Sequence, residues 1–274
     1  MNRQFLLSRL RLAALSLGLI ALIVAPRPAD SAQAAPRVAH VLVSLCDNEY
    51  QGIVPVPPAL GNGSDPDKNL YWGAAYGLKT FMRKQPEWKL LGREANPAPR
   101  ILERLVFRHD NPPAFLVADA YEGRYIKETV LDFLTYAAGQ GNRPVTAGGL
   151  TIQAGGSAGL LVYIGHNGLM DFPLTAMGTP VGGPEAAPRQ AAVFACLSRT
   201  FFEPLLRHAG AEPYILTTGL MCPEAYTTHA LLRSWLRNDS PAAAREAVAA
   251  AYNKYQKCGL AGARRLFWTD VQAF

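Results

Sequence analysis

Two short apolar runs in this chain each end in a residue equipped for nucleophilic chemistry. Leu160 to Gly165 ends in His166-Asn167-Gly168, and Ala191 to Ala195 ends in Cys196-Leu197-Ser198. A thiol and an imidazole on separate strand ends are the minimum for thiol catalysis. The imidazole lowers the thiol pKa or takes its proton, then returns a proton to the leaving amine. The competing reading is a satisfied polar residue at a strand end for His166 and a buried or bridged thiol for Cys196. The pair is a stronger signal than either member.

Positioning them requires strands that run side by side with covered faces. Val38 to Leu45 is a β-branched run ending in Cys46-Asp47-Asn48, followed by a Pro/Gly/Asn/Asp-rich loop to Lys68 and a helical pattern from Asn69 to Lys84. Ile101 to His109 and Ala114 to Asp119 read as a strand pair joined by Asp110-Asn111-Pro112-Pro113, and Tyr125 to Ala138 as a helix stopped by Gly139. After Cys196 come a helix over Thr200 to His208, a strand over Tyr214 to Thr218, and helices over Glu224 to Arg237 and Pro241 to Gln256. This alternation predicts a three-layer α/β sandwich around a mainly parallel sheet, with ligands outside the carboxyl ends of the strands.

The segments Leu160-Leu-Val-Tyr-Ile-Gly165-His166-Asn-Gly168 and Ala191-Ala-Val-Phe-Ala195-Cys196-Leu-Ser198 resemble the caspase-like cysteine peptidases, a group that holds caspases, legumains, gingipains and separases. There, one apolar strand ends in His-Gly and the next in Ala-Cys-x-Gly or a close relative. The resemblance implies a sheet of about six strands with helices on both faces. It also implies cleavage of a protein or peptide substrate after a selected side chain, without metal or organic cofactor. His166 would be the general acid/base and Cys196 the nucleophile, with the backbone N–H groups of Gly168 and Cys196 as oxyanion donors. Asn48 matches the place where legumain-like members set a third polar residue near the histidine. Three features depart from the pattern: Asn167 interrupts His-Gly, Ser198 stands where many members have Gly, and the His166–Cys196 gap is shorter than the roughly 50 residues of caspases. A caspase-like scaffold that has lost catalysis and uses the Gly52 to Lys68 loop for recognition is therefore the alternative of a different class.

Other constellations compete. Gly155-Gly-Ser157-Ala-Gly159 satisfies the serine-hydrolase pattern G-x-S-x-G, yet the apolar run after it reads as a strand rather than the required helix, so residues 147–159 read as a Gly/Ser loop. Asp47, Asp119, His166 and Asp171 supply metal-ligand types without compact zinc spacing. Asp119 and Glu122 precede a helix and suit either its amino end or a pocket for a basic substrate side chain. His40, His109, His208 and His229 show no carboxylate at a telling spacing and read as ordinary surface or core histidines. Four cysteines admit three complete pairings; a Cys46–Cys196 disulfide would block the nucleophile, and Cys222 and Cys258 read as a bridge or as buried thiols.

At 274 residues, with 49% hydrophobic and 18% charged residues, the chain has the material for one large core. Arg3, Arg9 and Arg11 precede an uncharged stretch from Leu12 to Pro26 and an Ala32-Gln33-Ala34 cleavage pattern, so residues 1–34 read as a secretory signal peptide. The expected location is periplasmic or extracellular, with an uncleaved N-terminal anchor as the second choice and no stable membrane span after cleavage. The formal charge of +6 includes four arginines of this leader, and the remaining Lys and Arg form no stripe interleaved with aromatics, which argues against a nucleic-acid partner.

Overall fold

Strand β1 (Arg37–Ser44) lies at the centre of an eight-stranded sheet in a computed structural model that describes residues 36–174, 178–183 and 189–270. The leader expected over residues 1–34 lies outside the described residues. After β1 come α1 (Leu78–Met82), β2 (Trp88–Ala98), β3 (Ile101–His109), β4 (Ala114–Tyr121) and α2 (Ile126–Ala137). Next are β5 (Asn142–Ala147), β6 (Leu150–Gly155), β7 (Leu160–Ile164), β8 (Gln190–Phe194), α3 (Ser198–His208) and β9 (Glu212–Thr217). The chain closes with α4 (Ala225–Leu236), α5 (Pro241–Gln256), α6 (Leu260–Leu266) and β10 (Phe267–Trp268). The sheet order is β10-β9-β8-β7-β1-β4-β3-β2. β4, β1, β7, β8 and β9 are mutually parallel, while β3, β2 and β10 extend the edges antiparallel. The expected six strands become eight because β2 and β10 add an edge at each end.

The three layers follow from alternation along the strands. Val41, Val43, Val162, Ile164, Phe194 and Ile215 face one way and pack under α1, α4 and α5. Leu42, Leu161, Tyr163, Val193 and Leu216 face the other way and pack under α2 and α3. A central parallel strand is buried on both faces, which is why β7 and β8 read as unbroken apolar runs. The β5–β6 hairpin covers Val106, Phe115 and Val117 with Val145, Ile152 and Ala154. No helix among the described residues is long and apolar enough to cross a membrane.

Two local expectations are corrected. The helix expected over Asn69 to Lys84 shrinks to α1, because the Asn69 side chain competes for backbone groups. Its Oδ1 accepts from the N–H of Cys46 and of Tyr71, and its Nδ2 donates to the carbonyls of Cys46 and Asn62. Residues 147–159, read as a loop, contain β6. Gly148 and Gly149, at φ 56° and 76°, make the two-residue turn that joins β5 to β6.

Candidate active site

β7 and β8 are adjacent and parallel, paired from Leu160 with Gln190 to Ile164 with Phe194. The Gly165 N–H donates to the Phe194 carbonyl at 3.3 Å and continues the pairing one step. His166 and Cys196 are each the second residue beyond the last ladder pair, so two neighbouring strands deliver them to the same carboxyl-end rim. Gly165 turns the chain at φ 149°, where a Cβ would stand 2.8 Å from the Ser44 carbonyl oxygen on neighbouring β1. Only glycine lets the histidine turn lie that close to the central strand.

His166 is buried and held at both ends. The Tyr163 hydroxyl donates to its carbonyl at 2.8 Å, and its ring Nε2 lies 2.8 Å from Asp171 Oδ2. The Asp171 carboxylate also accepts from the Gly52 N–H at 3.0 Å. Burial holds the Tyr163 phenol well above its ordinary range, so it serves as a neutral donor here.

Cys196 is partly exposed on a sharp strand-to-helix turn. Leu197 adopts the left-handed conformation at φ 52°, ψ 29°, uncommon for a residue with a Cβ, and α3 begins at Ser198. Cys196 thus immediately precedes the N-cap residue of an eleven-residue helix. The Met221 N–H points at Sγ from 3.4 Å, and the Met221 carbonyl lies 3.6 Å from it. Among the described residues no hydrogen bond joins Sγ to the His166 ring. The two turns are tied instead by Asn167, whose Nδ2 donates to the Cys196 carbonyl at 2.7 Å while its Oδ1 accepts from the Leu169 N–H. Asn167 thus acts as a cross-strand tie. Gly168 opens the short turn after it and is buried against Phe172 and Ile126, leaving no room for a Cβ.

The other nominated residues are used elsewhere. Asn48, expected beside the histidine, spends its amide on Val56: Nδ2 donates to the Val56 carbonyl and Oδ1 accepts from its N–H, pinning the loop after β1. Asp119, expected in a substrate pocket, is fully buried, bound by Arg104 at 2.6 and 2.8 Å and by His40 at 3.1 Å. Burial alone would raise its pKa, but the bonds from His40 and Arg104 outweigh that and hold it down to about 2. His40 therefore has a carboxylate partner that its sequence context did not signal, as does His229 with Glu87 at 2.7 Å. Nearer the rim, Asp47, Glu49 and Glu122 line a 540 Å³ cleft with Arg124, which pairs with Glu122 at 2.6 Å.

Ser157 lies in the turn before β7, near the amino end of the sheet, and no helix follows it. His40 cannot serve it, since Nδ1 takes the Gly155 N–H and Nε2 faces Asp119. All four cysteines are free: Cys46 is buried, and Cys222 and Cys258 are exposed rather than bridged or buried. Among the described residues no three His, Cys, Asp or Glu side chains are grouped to hold a metal ion.

Asp171, which the sequence offers only as a possible metal ligand, is a residue of this site. Its signal is a tight turn: Asn167 accepts from the Met170 N–H and Gly168 from the Asp171 N–H, folding the fifth residue after the histidine back onto the ring. Compared with known proteins, the chain matches no family model, no curated protein and no solved structure.

Proposed function

We propose that this protein is an exported caspase-like cysteine peptidase, or a related thiol hydrolase, acting on a protein or peptide substrate. The observation that carries this reading is the shared register of β7 and β8, which brings an imidazole and a partly exposed thiol to equivalent positions on one rim. In the reaction, Cys196 gives its proton to His166 and the sulfur attacks the substrate carbonyl carbon. The oxyanion formed is met by the N–H groups of Gly168 and Cys196. His166 then protonates the departing amine, leaving a thioester. A water molecule, deprotonated by the same ring, attacks that thioester and releases the acid and the free thiol.

The test is alkylation of the mature protein with iodoacetamide, followed at the Cys196 peptide by mass spectrometry. Rapid labelling at neutral pH that drops at least about tenfold in His166→Ala supports the thiol–histidine pair. Labelling that ignores His166 favours a scaffold that keeps the architecture without the chemistry. Capture of Ser157 by a fluorophosphonate, lost in Ser157→Ala, would support serine hydrolysis instead.

A further inference from the structure

We propose that Asp171 is the positioning residue of His166, and that the loop after β1 holds it in place through Gly52 and Gln51; this rests on the thiol–histidine reading above. Asp171 Oδ2 lies 2.8 Å from His166 Nε2 and accepts the Gly52 N–H at 3.0 Å. A carboxylate is an acceptor only, so the ring nitrogen facing it must carry the proton. In the neutral imidazole this leaves the lone pair on Nδ1, and Nδ1 becomes the nitrogen able to take the proton of Cys196. When the ring charges during the reaction, the same carboxylate stabilises the imidazolium.

The support reaches back to the central strand. Gln51 is buried, and its Nε2 donates to the carbonyls of Leu45 at 2.8 Å and Gly123 at 3.0 Å, fixing the loop at the ends of β1 and β4. The next residue is Gly52. A Cβ there would stand 2.3 Å from Asp171 Oδ1, so glycine is needed for the carboxylate to sit against the loop backbone. The loop, the carboxylate and the ring thus form one chain of contacts, built from segments far apart in sequence. Asn48, nominated for this role on family resemblance, instead ties the same loop to itself.

Three variants test the proposal. Asp171→Asn can still accept from Nε2–H but lacks the charge, Asp171→Ala lacks both, and Gly52→Ala keeps the carboxylate while forcing it aside. Two readouts are taken on each, after circular dichroism and thermal unfolding verify the fold. The first is the His166 tautomer from imidazole ¹⁵N chemical shifts, assigned by the resonance lost in His166→Ala. The wild type is expected in the Nε2–H form, with a mixture of tautomers in Asp171→Ala and Gly52→Ala. The second is the rate of Cys196 alkylation across about pH 5 to 9. Asp171→Asn is expected to slow labelling roughly tenfold at neutral pH and to move the profile to higher pH, with Asp171→Ala slower still. A wild-type ring found in the Nδ1–H form overturns the proposal. So do Asp171 and Gly52 variants that label like wild type while His166→Ala does not, an outcome that leaves the thiol–histidine pair standing. If His166→Ala also labels like wild type, the pair itself fails.

Discussion

Ser198 and Thr217 bind each other through both backbone N–H groups and both hydroxyls: Ser198 N–H donates to Thr217 Oγ1 at 3.1 Å, Thr217 N–H to Ser198 Oγ at 2.8 Å, and the two oxygens lie 3.0 Å apart. The Ser198 hydroxyl further reaches the Val193 carbonyl, and the Thr217 hydroxyl reaches that of Ala195. This knot lies immediately behind Cys196 and is buried. Glycine at this position could not make it.

Ser198→Ala is therefore expected to destabilise the protein by about 1–3 kcal/mol, since it strands buried donors and acceptors. For a domain of this size that is a fall in Tm of roughly 2–12 °C. The turn at Leu197 loses its anchor in the same variant, so Cys196 alkylation should slow as well. Thermal unfolding and labelling, measured on one preparation, check both.

Asn167 is expected to matter by its amide nitrogen. Asn167→Asp keeps the acceptor for the Leu169 N–H but replaces the donor to the Cys196 carbonyl with a negative oxygen. Two acceptors then face each other at hydrogen-bond distance, and the cross-strand tie becomes a repulsion. The expected result is a loss of about 1–3 kcal/mol in denaturant unfolding. Equal midpoints for the two proteins would show that the tie contributes nothing.

The Asp119 cluster sets an acid limit on stability. Its folded pKa of about 2 lies below the ordinary carboxylate value, so the stabilisation is present above about pH 4 and is lost as pH falls through about 2. The shift corresponds to roughly 2 kcal/mol. Asp119→Asn should remove that part of the acid dependence. It also leaves Arg104 buried without its countercharge, at a cost of about 3–5 kcal/mol at neutral pH. Urea unfolding of both proteins between about pH 2 and 7 separates the two effects.

What the sequence disclosed, and what it hid, follows from the kind of interaction involved. β1, β7 and β8 were legible because strands buried on both faces demand unbroken apolar residues, and α5 because Pro241 marks its start. The convergence of His166 and Cys196 follows from those strands being neighbours in register. α1 was overestimated because apolar spacing does not reveal that the Asn69 side chain occupies four backbone groups. The β5–β6 hairpin was hidden by Pro144 and by polar residues facing away from Val106 and Val117, although Gly148-Gly149 was its turn signal. Asp171 and Gly52 meet only in the folded chain, 119 positions apart, and no local pattern announces such a contact.

The thiols give a test of the fold around the rim that is independent of catalysis. Cys46 ends the segment after β1 with its side chain buried, and desolvation, partly offset by a bond from Tyr71, pushes its pKa up to about 11. At neutral pH the reactive thiolate is then on the order of one molecule in ten thousand, and the buried sulfur is shielded from reagent as well. Cys258 and Cys222 are exposed and Cys196 is partly so. Brief iodoacetamide treatment of the native protein should therefore modify Cys258, Cys222 and Cys196 and spare Cys46, whereas treatment in denaturant should modify all four. Native labelling of Cys46 at the rate of Cys258 would mean that the β1 end is open to solvent. The Gln51–Gly52 support of Asp171 would then lose its foundation, because the same strand end that buries the Cys46 sulfur supplies the Leu45 carbonyl to which Gln51 is tied.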